Sequence, residues 1–489
     1  MSEHRHPRAL AWLTSSYALF MAAFGGILAS LVLYQTNSLH IPPSEAYGIF
    51  SASMALIWIL PLGGGYLSAK LGYTNGARVG LIFCALGFIV LCWQSKEALY
   101  LGLALFVVGN ALATPATWCM VDHCYSKTSI LRDAGFTLFY LFFNLAGVIG
   151  IFLGGYIAEI WGFPFEFALD ALCLIGAFFL LHFAKHKITP HKGRSIAPQV
   201  SWSRGSIWGC LILCSLLAVP VAMLLFQNIT INNTLMIISL IFMVFVLFRI
   251  SLKQKTKHSR NKMIAFICLS LISIIFWTLY SLEPSFLSVY VSSNVNTTFL
   301  GLNIPASSFF AFDGVFVILL GLILSRLWLY LSQKNKNPAL PIKFAGSLIV
   351  IGLGFCFLSL AARYMGDSLM PSWYIVFAYA IFALAELFVS PLGISMVGSL
   401  APEGQEGLMM GFWQLCIGIG GVASGYVAMA PHLPTHAASL SISNAIYAKV
   451  FFIVGGAGVI AGCLVLPFAK KFKHLMEEYI HTASKNREG

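Results

Sequence analysis

Charge is what this chain has least of. Only 9% of its 489 residues are Asp, Glu, Lys or Arg, against roughly a quarter in a soluble globular domain. So little charge cannot cover a water-facing surface, which excludes an ordinary soluble protein. Acidic residues are the scarcest, 17 against 29 basic ones. The eleven cysteines are scattered, many in apolar segments (Cys84, Cys92, Cys173, Cys210, Cys214, Cys356, Cys416). With no CxxC pair and no Cys/His spacing they encode neither a zinc site nor a disulfide framework; their plain reading is small buried hydrophobes. HExxH, GxSxG, a Walker A glycine loop and a GxGxxG followed by an acidic residue are all missing. These absences argue against an enzyme, a bound cofactor, a resident metal and an ATP-driven pump. The net charge of +12 has no separate basic domain that would hold a nucleic acid.

Hydrophobic length is abundant instead. Hydrophobic residues make up 59% of the chain and the mean hydropathy is +0.85. A membrane-spanning helix needs about 20 mostly apolar residues. Spans are expected at roughly 12–34, 47–69, 77–95, 99–121, 135–158, 165–184, 206–226, 233–250, 263–291, 305–330, 343–363, 372–400, 408–430 and 447–469, fourteen in all. The basic start (His4, Arg5, His6, Arg8) runs straight into a stretch long enough to span, with no small-residue cleavage site, so it reads as the first helix rather than a cleaved signal.

Loop charges test that count. Lys70 and Arg78, Lys127 and Arg132, Lys185 to Arg204, Lys253 to Lys262, Lys334 to Lys343 and Lys470 to Lys473 all fall in every second connection. The other side receives only Lys96, Arg363 and Lys449. Positive residues collect on the cytoplasmic side, so both termini are expected inside. Asn-x-Thr matches at Asn228, Asn232 and Asn296 fall on the expected outer side.

The resulting organisation is all-α and polytopic. Residues 1–184 form an N-terminal six-helix bundle and 185–205 a basic linker broken by Pro190, Gly193 and Pro198. Residues 206–262 form an inserted transmembrane hairpin, 263–472 a C-terminal six-helix bundle and 473–489 a cytoplasmic tail. Two six-helix halves are the parallel repeats of a major facilitator fold. Glycine stretches at Gly150–Gly155 and Gly418–Gly425 read as close helix packing, with helix rocking as the alternative.

Ionisable side chains in mid-span are costly and usually face a cavity or a partner. Glu386 lies in YAIFALAELFVSPLGIS, Asp313 in SSFFAFDGVFVILL, and Glu283 precedes Pro284 in FWTLYSLEPSFLSVY, where the proline is expected to break the helix. Desolvation penalises the charged form of such a carboxylate, which makes all three candidate proton carriers. The structural alternative is a carboxylate held by serines such as Ser390 or Ser308. Asp122, Glu159, Glu166 and Asp170 lie near expected helix ends and read as interfacial.

The fifth span, DAGFTLFYLFFNLAGVIGIFLGGYIAEIWGF, resembles the fifth-helix signature of the proton-dependent oligopeptide transporter family. Phe136, Thr137, Tyr140, Asn144 and Leu145 match, with Ala146 for the usual glycine. GNALATP (Gly109, Asn110, Pro115), Pro341–Lys343–Phe344, Ser372–Trp373, Ala385–Phe388 with Ser390, Pro391 and Gly393, and MMGFWQL with Trp413 resemble further family segments over nearly the whole chain. The extra helix pair fits the family's bacterial branch. The resemblance implies proton-driven symport of di- and tripeptides across a bacterial cytoplasmic membrane by a chain that works as a monomer. It also implies that Glu386 pairs with a substrate amine, that Asn144 bonds its backbone and that Trp413 lines the pocket, with Tyr140 and Asp313 beside them.

The departures matter as much. Where the family carries Glu-x-x-Glu-Arg on its first helix, this chain has Tyr17, Phe20 and Met21. The family's fourth-helix lysine falls on Thr114, the aspartate between spans two and three on Ala69, and its asparagine and proline on Asp313 and Gly314. The cations and their glutamates are lost together, which avoids unpaired buried charge. The expectation is a cavity uncharged in its N-terminal half and acidic in its C-terminal half, suited to an amine-bearing solute without a free carboxylate. The competing expectations are an uncoupled facilitator or exporter of a non-peptide solute and, further off, a non-transporting membrane sensor.

Overall fold

The computed structural model describes residues 6–125, 131–184, 196–254, 256–334, 336–400, 406–430 and 439–477. Lys127, Lys185, Lys187, Lys192, Arg194, Pro190 and Gly193, named above for charge and chain breaks, lie outside the described residues. Among the described residues, fourteen helices are long and apolar enough to cross a membrane, as the hydropathy reading expects.

The helices run in order α1 (Arg8–Leu33), α2 (Pro43–Leu71), α3 (Tyr73–Leu91), α4 (Lys96–His123), α5 (Leu131–Trp161) and α6 (Phe163–Phe183). Then come α7 (Arg204–Gln227), α8 (Ile229–Leu252), α9 (Lys257–Tyr280), the short α10 (Ser288–Asn294) and α11 (Ala311–Gln333). The chain continues through α12 (Leu340–Met365), α13 (Ser372–Glu386), α14 (Ser390–Leu400), α15 (Glu406–Met429), α16 (Leu440–Val465) and α17 (Ala469–Glu477). Caps mark several starts. The Ser95 hydroxyl accepts from Ala98 N at 3.1 Å at the head of α4, and the Thr256 hydroxyl accepts from Ser259 N at 3.1 Å at the head of α9.

Two proline-bearing segments break what hydropathy reads as single spans. After α9 the chain turns and passes through a π-helical turn, Glu283–Leu287, before α10. Pro284 has no N–H to return to the Tyr280 carbonyl, and next to it the Ser285 hydroxyl donates to Ser281 O at 2.7 Å. The expected break at Pro284 is therefore present. The tenth span breaks as well: α13 stops at Glu386, and Pro391 lies at the start of α14.

Contacts divide the chain into two units. The first comprises Met1–Asn232 with Pro305–Gly314, the second Asn233–Ile304 with Val315–Gly489. In the first, small residues bring α1 and α5 into backbone contact: a Cβ on Gly150 or on Gly25 would run into the Ala22 or Gly147 carbonyl. The glycines of α5 thus serve close packing, since only residues without bulk allow such an approach. In the second, α12 and α16 meet in the same way through Gly352 and Gly455.

Pro305–Gly314 packs with the first unit, where the Ser308 hydroxyl donates to Phe152 O of α5 at 3.0 Å and Gly314 lies against Val148. Asp313 lies in the first turn of α11, in the short stretch that is grouped with the first unit, while the rest of that helix is grouped with the second.

Candidate functional site

Glu386 ends α13 and is partly buried. The Tyr280 hydroxyl, at the last residue of α9, donates to Glu386 Oε2 at 3.2 Å, and Ser390 stands beside the same carboxyl. The serine expected as structural support, Ser390, is therefore close by, and the end of α13 at Glu386 was not expected. Ser308, the other serine considered, serves Phe152 O instead.

From Tyr280 an aromatic chain leads inward. Its ring lies 5.7 Å from Trp277, which lies 6.4 Å edge-on from Trp413. Trp413 is only 2% exposed and fills the space beside Gly393, where a Cβ would overlap the indole; Phe344 closes its other side at 6.2 Å. Trp413 is thus a covered wall behind the Glu386–Tyr280 pair rather than an open ring. Glu283 is fully buried at the π turn, with its backbone carbonyl held by the Ser288 hydroxyl at 3.2 Å.

In the first unit, Tyr140 and Asn144 share one face of α5. Asn144 Nδ2 donates to the Tyr140 carbonyl at 2.8 Å, which leaves its side-chain oxygen available. Val148, one turn on, contacts Gly314, so Asp313, 3% exposed, lies next to a residue that packs on α5. Five of the six candidate residues therefore fall into two groups: Tyr140, Asn144 and Asp313 in one unit, Glu386 and Trp413 in the other. Glu283 also belongs to the second unit, at a separate buried turn.

Two of the residues expected at the family's first-helix charge positions, Tyr17 and Phe20, lie in an aromatic cluster. Tyr17 stacks on Phe20 at 5.4 Å and on Phe139 at 5.2 Å, and meets Phe143 edge-on at 5.4 Å. Trp118 and Thr114 flank it. The Thr114 hydroxyl donates to Asn110 Oδ1 at 2.7 Å, and Asn110 Nδ2 to Ile57 O at 3.2 Å. The lost glutamates, arginine and lysine leave no open gap here: this region is neutral, packed and hydrogen-bonded.

A family model described as the POT family matches residues 78–444. The chain belongs to the POT family. Dipeptide and tripeptide permease B of Photorhabdus luminescens is 28% identical over 462 residues, covering 93% of each chain. The permease B of Yersinia enterocolitica is 28% identical over 437 residues, covering 88% of this chain and 87% of its own. Among solved structures, a POT family transporter in complex with a thioalcohol-conjugated peptide superposes with a TM-score of 0.82 at 22% identity, over 96% of this chain and 97% of that one. A POT family transporter bound to 5-aminolevulinic acid gives 0.82 at 21% identity, with the same coverage. A tetrameric structure gives 0.80 at 21% identity, over 96% of this chain and 100% of that one. This POT family member is therefore an integral, multi-pass membrane transport protein with the POT fold, and not an enzyme.

Two features escaped sequence reasoning. Tyr280 carries the hydrogen bond to Glu386, and its signal was the FWTLY run one turn before Pro284. Glu166 and Asp170, read as interfacial from their nearness to a helix end, are 1% and 5% exposed, so their side chains are covered by the neighbouring helices. They lie on the inward face of α6, against Gly26 of α1 and Gly154 of α5. The N-terminal bundle is thus not free of buried acid. Glu159, by contrast, is exposed, in keeping with an interfacial place.

Proposed function

We propose that this POT family member is a secondary transporter that takes up peptide-like solutes bearing an amine, driven by protons. The observation that carries the reading is Glu386, partly buried and held by Tyr280 at a helix break. A substrate ammonium is the partner this carboxylate lacks, because an opposite charge stabilises it far more than a hydroxyl does. The permease relatives and the peptide-bound structures of other family members support the substrate class.

The solute reaches the site by alternating access, and each chain acts as its own transport unit in a bacterial cytoplasmic membrane with both termini inside. Residues 206–262 act as an inserted hairpin between the two bundles. Glu386, Asp313 and Glu283 are the proton-coupling groups. Neutral aromatic packing around Tyr17 leaves no cation to hold a peptide carboxylate at that end, so the preferred solutes are amines whose carboxyl is absent or blocked. The same packing favours one rival, an uncoupled carrier on the same fold.

Proteoliposome uptake tests this. A labelled dipeptide and its carboxyl-amidated form are offered with and without an inward proton gradient. Accumulation that collapses with a protonophore, with the amidated form preferred, is the expected result. Better uptake of the free dipeptide sinks the substrate reading, and gradient-independent equilibration of both supports the uncoupled carrier.

A further inference from the structure

The junction of α1, α5 and α6 holds two carboxyls that the transport site does not use. They converge on one point. The position that a Gly26 Cβ would take lies 3.0 Å from Asp170 Oδ2 and 3.4 Å from Glu166 Oε1. Gly154 makes room for Glu166 from α5, since its Cβ would stand 2.9 Å from Glu166 Oε1 and 3.2 Å from Gly26 Cα. Two glycines, one on each neighbouring helix, clear the space that the two side chains occupy.

Nothing charged compensates them. Both Glu166 oxygens and Asp170 Oδ2 are buried without a hydrogen bond of good geometry. The Ser30 hydroxyl, fully buried and likewise unsatisfied, faces Glu166 from one turn along α1. The other titratable groups facing α6 are neutral or distant. From the end of α1, the Tyr34 hydroxyl donates to Leu91 O at 3.1 Å. From the end of α3, Cys92 Sγ donates to Pro164 O at 3.4 Å. Cys173, on α6 itself, is a thiol. Arg78 of α3 is the nearby cation, but its Nη2 donates to the Leu181 and His182 carbonyls at 3.2 and 3.4 Å. At a helical rise of about 1.5 Å per residue, Leu181 lies roughly 16 Å along α6 from Asp170. Glu159, from α5, is exposed and of the wrong sign, and His182 lies at the Arg78 end of the helix. Among the described residues the ion pair is Lys96–Glu45, outside this junction.

The two carboxyls and the Ser30 hydroxyl share one buried pocket, and among the described residues no cation stands opposite them. A hard metal ion demands six or more oxygens, and among the described residues no three metal-ligating side chains gather. A proton demands only two acceptors. We propose that Glu166 and Asp170 form a proton-binding site at the α1–α5–α6 junction, one proton being shared between the two carboxyls with the Ser30 hydroxyl as a further partner. The site lies one turn beyond the Ala22–Gly150 contact of α1 and α5, so its charge state bears on the packing of those helices. The inference deepens the proton-coupled reading above, but its decisive test does not depend on transport.

That test is infrared spectroscopy of the purified protein through a pH titration, comparing wild type with Glu166→Gln and Asp170→Asn. Both amides are neutral and close in shape, and either variant that purifies folded is sufficient. The carbonyl stretch of a protonated carboxyl is expected in wild type at neutral pH, with a component that each variant removes. A band identical in wild type and variant at every pH overturns the proposal. So does loss of the component on exchanging potassium for sodium, which assigns a metal cation to the pair. A second arm measures gradient-driven uptake against pH, where the variants are expected to move the midpoint by about one unit, a tenfold change in proton affinity. Should wild type show no gradient-driven uptake, the coupled-transport reading fails while the infrared arm still decides the site.

Discussion

The Tyr280 hydroxyl donates to Glu386 Oε2 across 3.2 Å, joining the last residue of α9 to the last residue of α13. Both helices end there because a proline-bearing segment follows, Pro284 in one case and Pro391 in the other. The candidate amine site is thus built from two helix breaks, and one hydrogen bond connects them.

Tyr280→Phe should weaken that site without emptying it. A hydrogen bond to a charged group is worth about 1.5–3 kcal/mol, which corresponds to a tenfold or greater rise in the KM for an amine-bearing peptide. Glu386→Gln should be the more severe change, because it removes the charge that faces the ammonium. Concentration-dependent uptake by the two variants checks this. Equal KM values for Tyr280→Phe and wild type would remove the hydroxyl from the site.

Gly393→Ala should destabilise the second unit by about 1–3 kcal/mol, the usual penalty for forcing a methyl group into a filled core. The methyl would overlap the Trp413 indole, itself confined by Trp277 and Phe344. A double change, Gly393→Ala with Trp413→Leu, should recover part of the loss, because the two residues compete for one volume. Thermal unfolding in detergent measures both.

The fold was legible because hydropathy alone separates fourteen spans, and Pro284 announces its own break. Glu386 stood out as a lone acid in a long apolar run, and so did its structural alternative, since Ser390 is beside it. Glu166 and Asp170 did not. They sit near the start of α6, and nearness to a helix end says nothing about which face a residue presents. Only the glycines at positions 26 and 154, far apart in sequence, reveal that this face is buried. The contact of the segment before Asp313 with α5 was not legible for a similar reason: the Ser308–Phe152 bond spans 156 positions of chain.

Lys343 carries a further prediction. Its ammonium stands 4.1 Å from the centre of the Trp328 ring, whose other neighbour is Phe388 at 5.7 Å, in the break after Glu386. The side chain is only 7% exposed. A desolvated cation–π contact is worth up to about 2 kcal/mol, so Lys343→Met should lower the unfolding temperature and Lys343→Arg should largely preserve it. Equal losses in the two variants would mean that packing, not charge, is what Lys343 contributes.

The exposed pair Lys96–Glu45 should matter little. Both side chains are well exposed, at 48% and 35%, and such pairs contribute about 0–1 kcal/mol and weaken in salt. Lys96→Ala should leave the unfolding temperature nearly unchanged at high salt, which makes it a control for the buried-site variants.

Tyr125 should give the protein an alkaline limit. It lies just past α4, and burial pushes its phenol up to about 12, where it bonds His6 Nδ1 at 3.0 Å. The unfolded chain loses this proton near the ordinary tyrosine value of about 10. Between those two values the folded state holds a proton that the unfolded state has released, so stability falls as pH rises. Below about pH 10 both states are protonated and the contribution is constant. Burial also raises the neighbouring Cys124 thiol, to about 11, and it titrates in the same window; a Cys124→Ala background separates the two. In that background the unfolding temperature should decline from pH 10 to about 12, and Tyr125→Phe should flatten the decline. Parallel curves for the two proteins would show that Tyr125 is free to ionise in the folded state.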